Sequence, residues 1–158
     1  MTGNRLIASC TAVLTGALIV VGAVSDGIVR HVLQTAPGWI VIVLGLRNSV
    51  LTRWAALPVF LVWLLIFVLI WLYLLDLSDI IDGHFGPAEI AMTIVGAIAC
   101  ATGLFAALRT GGSAKWWSGM LIFLLMAALQ IGVVALSMKP AIASDTGFRN
   151  WLKHAQTG

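Results

Sequence analysis

The stretch WAALPVFLVWLLIFVLIWLYLLDL, Trp54–Leu77, holds no charged side chain before Asp76. As a helix it extends about 36 Å, enough to pass through the roughly 30 Å hydrocarbon core of a bilayer. Three more runs of spanning length accompany it: Leu6–Val24, Ala88–Leu108 and Trp116–Ser137. Backbone N–H and C=O groups in hydrocarbon must be satisfied within their own segment, and none of these runs alternates as a barrel strand would. All four therefore predict helices.

Composition carries the same message along the whole chain. Of 158 residues, 61% are hydrophobic and 9% charged, whereas a soluble domain has about a quarter charged. Such a chain cannot cover a water-facing surface, and its length allows one membrane domain over residues 1–158. The predicted fold class is all-α, a polytopic helical bundle whose first partner is the lipid bilayer. The net charge of +3 invites a nucleic-acid reading, but the basic residues are scattered between apolar runs and form no stripe. No nucleic acid is expected.

At the N-terminus, Ala23-Val24-Ser25 resembles a signal-peptidase site after the short basic segment Met1–Arg5. Leu6–Gly22 is longer than a signal-peptide apolar core, so a retained first helix is expected. Cys10 and Cys100 both lie inside apolar runs without C-x-x-C or Cys/His spacing, which predicts two small helix-face residues and no disulfide framework.

Residues 28–46 are harder to read. Asp26-Gly27 ends the first run, Ile28–Gln34 carries Arg30, His31 and Gln34, and Pro37-Gly38 separates this piece from the apolar Trp39–Leu46. A helix over this stretch reaches about 28 Å, barely a crossing, with a break near the proline. The alternative is an interfacial Ile28–Gln34 with Trp39–Leu46 dipping in and returning. Charge favours the crossing. With five spans, Arg5, Arg47, Arg53, Arg109 and Lys115 share one side with no acidic residue among them. Asp26, Asp76, Asp79, Asp82, Glu89 and Asp145 share the other with Arg30, Lys139, Arg149 and Lys153. By the positive-inside rule the expectation is a bacterial inner (plasma) membrane protein, N-terminus cytoplasmic and C-terminus outside.

The Ala88–Leu108 run carries a stripe of small residues, Thr93, Gly96, Cys100, Gly103 and Ala107, at steps of three and four. Such a stripe lets helix backbones approach closely in lipid, and it predicts a helix-packing face within the chain. Ala8, Ala12 and Gly16 offer a shorter version on the first helix, while Trp54–Leu77 supplies bulk to fill grooves or face lipid. Gly86-Pro87-Ala88-Glu89 reads as a helix start, and Lys115-Trp116-Trp117 as an interfacial cation with two indoles. Residues 145–155 predict a short interfacial helix, with Phe148, Trp151 and Leu152 opposite Arg149, Lys153 and His154.

Candidate chemistry is sparse. The middle thirds of the long runs hold no ionisable residue, and Gln130 is their one strongly polar side chain, with Ser118, Thr93 or Thr102 as possible helpers. His31, His84 and His154 sit near ends or in the tail, where they cannot offer paired axial ligands to a haem, so no cofactor is expected. Asp76, Asp79 and Asp82 share a face if the helix continues, and with His84 they are competent divalent-cation ligands. Asp79, Asp82 and His84 thus form a candidate outer-face metal site, against the plainer reading of a solvated helix end. No catalytic constellation, phosphate loop or H-E-x-x-H helix appears, which points away from an enzyme. The expected function is a non-catalytic accessory or assembly subunit, with other membrane subunits or a second copy as partner. The alternative is a small transporter or channel component with a polar path near Gln130 and the broken 28–46 segment. An enzyme acting at the outer interface ranks third.

Overall fold

The computed structural model describes residues 3–25, 27–78, 85–111, 115–139 and 142. Within them the chain forms α1 (Gly3–Val24), α2 (Ile28–Gln34), α3 (Ala36–Leu46), α4 (Thr52–Leu74), α5 (Pro87–Arg109) and α6 (Trp116–Ser137). Four of these helices, α1, α4, α5 and α6, are long and apolar enough to cross a membrane. The short pair α2 and α3 meets at a 42° bend and passes the same test only when taken together.

The bend follows from Pro37. A proline offers no N–H and its ring collides with the carbonyl four residues earlier, so a helix running up from Ile28 has to stop short of it. It stops at Thr35, and Pro37 falls in the first turn of α3, where no donor is needed. The two pieces nevertheless run antiparallel along the full length of α1. Gly22 lies against His31, Gly38 against Thr15 and Thr11, and Gly45 against Ala8 and the Asn4 carbonyl. The pair therefore starts at one end of α1 and finishes at the other, and Trp39–Leu46 does not turn back. Gly45 has no alternative there, since a Cβ would stand 2.7 Å from both the Ala8 Cβ and the Asn4 oxygen.

The helices close a ring. α1 packs between α5 and the α2–α3 pair, α4 packs between α5 and α6, and α6 returns to α2 and α3. Ile7, Leu14, Val41, Val59, Phe60 and Cys100 fill the centre with essentially no exposure. Between α4 and α5 the fit is large into small. The Phe67 ring covers Gly96 and the Phe60 ring covers Gly103. All five residues of the α5 stripe are buried, together with Ala99 and Ala106. Ile94, Ile98 and Phe105 on the opposite flank are exposed.

The α1 stripe differs from expectation. Ala8 is buried, but Ala12 and Gly16 are exposed, and Gly16 has nothing within 4 Å of an added Cβ. Each step of four residues overshoots a full turn by about 40°, so a ladder of fours walks off the contact face. The buried face instead follows Ile7, Thr11, Leu14 and Leu18.

Two helix ends are set by left-handed residues. Asn48 has φ 50° and Asp76 φ 54°. Around Asp76, the Leu77 N–H donates to the Leu72 carbonyl at 2.9 Å and the Asp76 N–H to the Tyr73 carbonyl at 3.0 Å. Ser49 with Leu44 and Asn48 with Gly45 repeat the pattern at the end of α3. This paired arrangement closes a helix by satisfying its last carbonyls. α4 thus ends at Leu74, short of the expected Leu77.

Candidate functional site

The buried polar residues of α6, Gln130 and Ser137, share one face of it. Its buried residues are Gly119, Met126, Gln130 and Ser137, at steps of seven and four along one side. Ser137 accepts a hydrogen bond from Gln34 Nε2 at 2.7 Å, with both residues buried, and donates to the Val134 carbonyl at 2.7 Å. That bond joins α6 to the last residue of α2, beside the bend. Thr35, also buried, donates to the Val32 carbonyl at 2.7 Å.

Two turns from Ser137 sits Gln130, fully buried, and neither its Nε2 nor its Oε1 has a hydrogen-bond partner. An unpaired amide in an apolar interior costs about 1–3 kcal/mol. None of the three expected helpers serves it. Thr93 donates to the Ile90 carbonyl, while Ser118 and Thr102 are exposed. Nothing in the sequence signals the Gln34–Ser137 pair, whose members are separated by 103 positions.

Among the described residues the carboxylates share one end of the bundle with Arg30 and Lys139, and the other end is purely basic. Asn4 Nδ2 donates to the Ser49 carbonyl at 3.1 Å, Arg53 donates to the Thr110 carbonyl at 3.0 Å, and Gly3 lies against the Thr110 side chain. These contacts bring the start of α1, the α3–α4 turn and the end of α5 to one end, with Arg5, Arg47, Arg53 and Arg109. Trp54 packs on Gly119, which puts the start of α6 there too. Asp76 and Glu89 lie at the opposite end, after α4 and at the start of α5. Glu89 accepts the Gly86 N–H at 2.6 Å and caps α5. At that end His31 Nδ1 lies 2.8 Å from the Gly27 carbonyl, and the Nε of half-buried Arg30 has no partner.

Asp79, Asp82 and His84 lie outside the described residues, as does the 145–155 segment. Asp76 closes the end of α4, which finishes at Leu74. Among the described residues no group of three His, Cys, Asp or Glu side chains is placed to hold a metal ion. Grooves on the surface of the bundle include one of about 250 Å³ between α4 and α5 and one of about 370 Å³ between α1 and α5. The first is lined by Leu64, Phe67, Val68, Trp71, Leu72, Leu75 and Ala97, all apolar or aromatic.

This fold defines a class and no more: a helical bundle with helices able to cross a membrane. Compared with protein families, with characterised proteins and with solved structures, the chain matches none.

Proposed function

We propose that this chain is an integral protein of a bacterial inner membrane, crossing it five times with the N-terminus cytoplasmic and the C-terminus outside. Within that membrane it acts as a non-catalytic accessory or assembly subunit of a larger complex. The fifth crossing is supported by the course of α2–α3, which follows α1 from one end to the other. The orientation is supported by Arg5, Arg47, Arg53 and Arg109 sharing an end that Asp76 and Glu89 do not.

The observation that carries the subunit reading is the interlocked interior. Phe60 and Phe67 occupy the space above Gly103 and Gly96 as knobs occupy holes. Interiors packed this way are bistable or rigid and do not deform continuously, which suits a scaffold better than a conduit. The test is blue-native electrophoresis from native membranes in mild detergent. A band well above the chain's own mass, with the co-migrating subunit depleted when this chain is deleted, is the expected result. A monomer that moves a solute across proteoliposome membranes would overturn it.

One observation favours the alternative, a small transporter or channel component. The unpaired amide of Gln130 lies in the ring interior, on the α6 face that also carries the Gln34–Ser137 bond. A polar path there would run between α6 and the bend of α2–α3. Solute flux that Gln130→Met abolishes would establish it.

A further inference from the structure

We propose that the basic end of the bundle binds the phosphate of an anionic phospholipid headgroup, with Arg53 at its centre; this rests on the membrane reading above. The first support is unmatched charge. Arg5, Arg47 and Arg109 are exposed, and among the described residues none has an ion pair. A guanidinium carries five N–H donors in a planar fork. Among the described residues Arg53 has one acceptor, the Thr110 carbonyl, and its Nε has none. Its guanidinium is held in place by that bond and by the Trp54 ring, 4.8 Å from Cζ to the ring centroid.

The second support is the backbone. α1, α4 and α6 all begin at this end, and none has an acidic residue in its first turn. The N-caps of α4 and α6, Leu51 and Lys115, make no side-chain capping bond. The positive ends of these three helix dipoles add to the field of the arginines and outnumber the two negative ends, of α3 and α5, that finish there. At the other end α5 has Glu89 to answer its own N-terminus. An anion belongs where arginines converge with no carboxylate beside them among the described residues, and a tetrahedral phosphate matches the arginine fork.

The third support selects a lipid over a free anion. Leu57, Leu61, Leu64 and Val68 succeed Arg53 along one side of α4 at steps of three and four, and Leu61 and Val68 are 45% and 48% exposed. About 16 Å from Arg53 along the axis, Leu64 begins the apolar groove between α4 and α5. A cationic head with an apolar strip beneath it complements a molecule built as phosphate on acyl chain. Trp116 and Trp117, 56% and 79% exposed, stand at the same end, as indoles do at a headgroup level.

The test is thermal unfolding of the purified full chain in neutral detergent with added dioleoylphosphatidylglycerol, dioleoylphosphatidylcholine or inorganic phosphate. The phosphatidylglycerol arm should raise the melting temperature above the phosphatidylcholine arm, and inorganic phosphate should leave it unchanged. Arg53→Gln should cut that shift at least about twofold, while Arg30→Gln, at the opposite end, keeps it. Equal shifts with the two lipids, or an undiminished shift in Arg53→Gln, would overturn the proposal. A shift reproduced by inorganic phosphate alone would overturn the lipid assignment. If Arg53→Gln does not fold, the exposed pair Arg47→Gln with Arg109→Gln takes its place in the same measurement, and an undiminished shift there overturns the proposal equally. A chain released from membranes by alkaline extraction would refute the membrane reading, whereas one that stays and ignores phosphatidylglycerol refutes this proposal alone.

Discussion

Replacing the amide of Gln130 by a side chain of similar length tests how dry the ring interior is. Gln130→Met removes two buried polar atoms that have no partner and keeps most of the volume. In a packed, dry bundle it should stabilise by about 1–3 kcal/mol, read as a higher melting temperature in detergent. Ser137→Ala, on the same face of α6, should act with the opposite sign. It strips Gln34 of its acceptor and should cost a similar about 1–3 kcal/mol. Destabilisation by both substitutions would mean that Gln130 has a polar partner after all, as a solute path requires. Gln130 as the polar outlier of its span was legible because it stands alone among apolar neighbours. The Gln34–Ser137 bond was not, because hydropathy marks where polar side chains lie and says nothing about which helix ends meet.

Between helices, the α4–α5 contact makes the sharpest forecast. A Cβ on Gly103 would collide with the Phe60 ring, and one on Gly96 would stand 2.5 Å from the Phe67 ring. Gly103→Ala should therefore lower stability by about 1–3 kcal/mol through overpacking. Combined with Phe60→Leu, it should cost less than the sum of the two singles, since the smaller side chain vacates the contested space. Ile98→Leu, on the exposed flank of α5, should change little. A strictly additive double mutant, measured by thermal unfolding in one detergent, would separate the two sites. Steps of three and four in one run of small residues were enough to read this face. The same rule misplaced Ala12 and Gly16, because a ladder made only of fours precesses around the helix and needs a step of three to return. The end of α4 was misread for another reason. Apolar character continues through Leu75 and Leu77, while the backbone has already left the helix to close its carbonyls around Asp76.

For the molecule as a whole, the number of long helices was legible, and so was the common end of Arg5, Arg47, Arg53 and Arg109, but the ring order was not, since it depends on faces contributed by helices distant in sequence. The fifth crossing can be decided by labelling single cysteines in intact cells, in a background where Cys10 and Cys100 are alanine. Cysteines replacing Asn48 and Gly111 should resist an impermeant maleimide until the membrane is opened. One replacing Ser25 should react at once, and protection of Ser25 would leave four crossings. The bend at Thr35 has a consequence for how such a chain is made. Helices α2 and α3 have 7 and 11 residues, each well below the roughly 20 that partition into lipid unaided. As the chain emerges during synthesis, the pair has α1 to lie against, but the acceptor for Gln34 is in α6, about a hundred positions later. Until Ser137 is synthesised and α6 docks, that amide must stay in water or in the headgroups. On the five-crossing proposal, membrane entry of the α2–α3 pair is then a late, cooperative step, timed by the docking of α6.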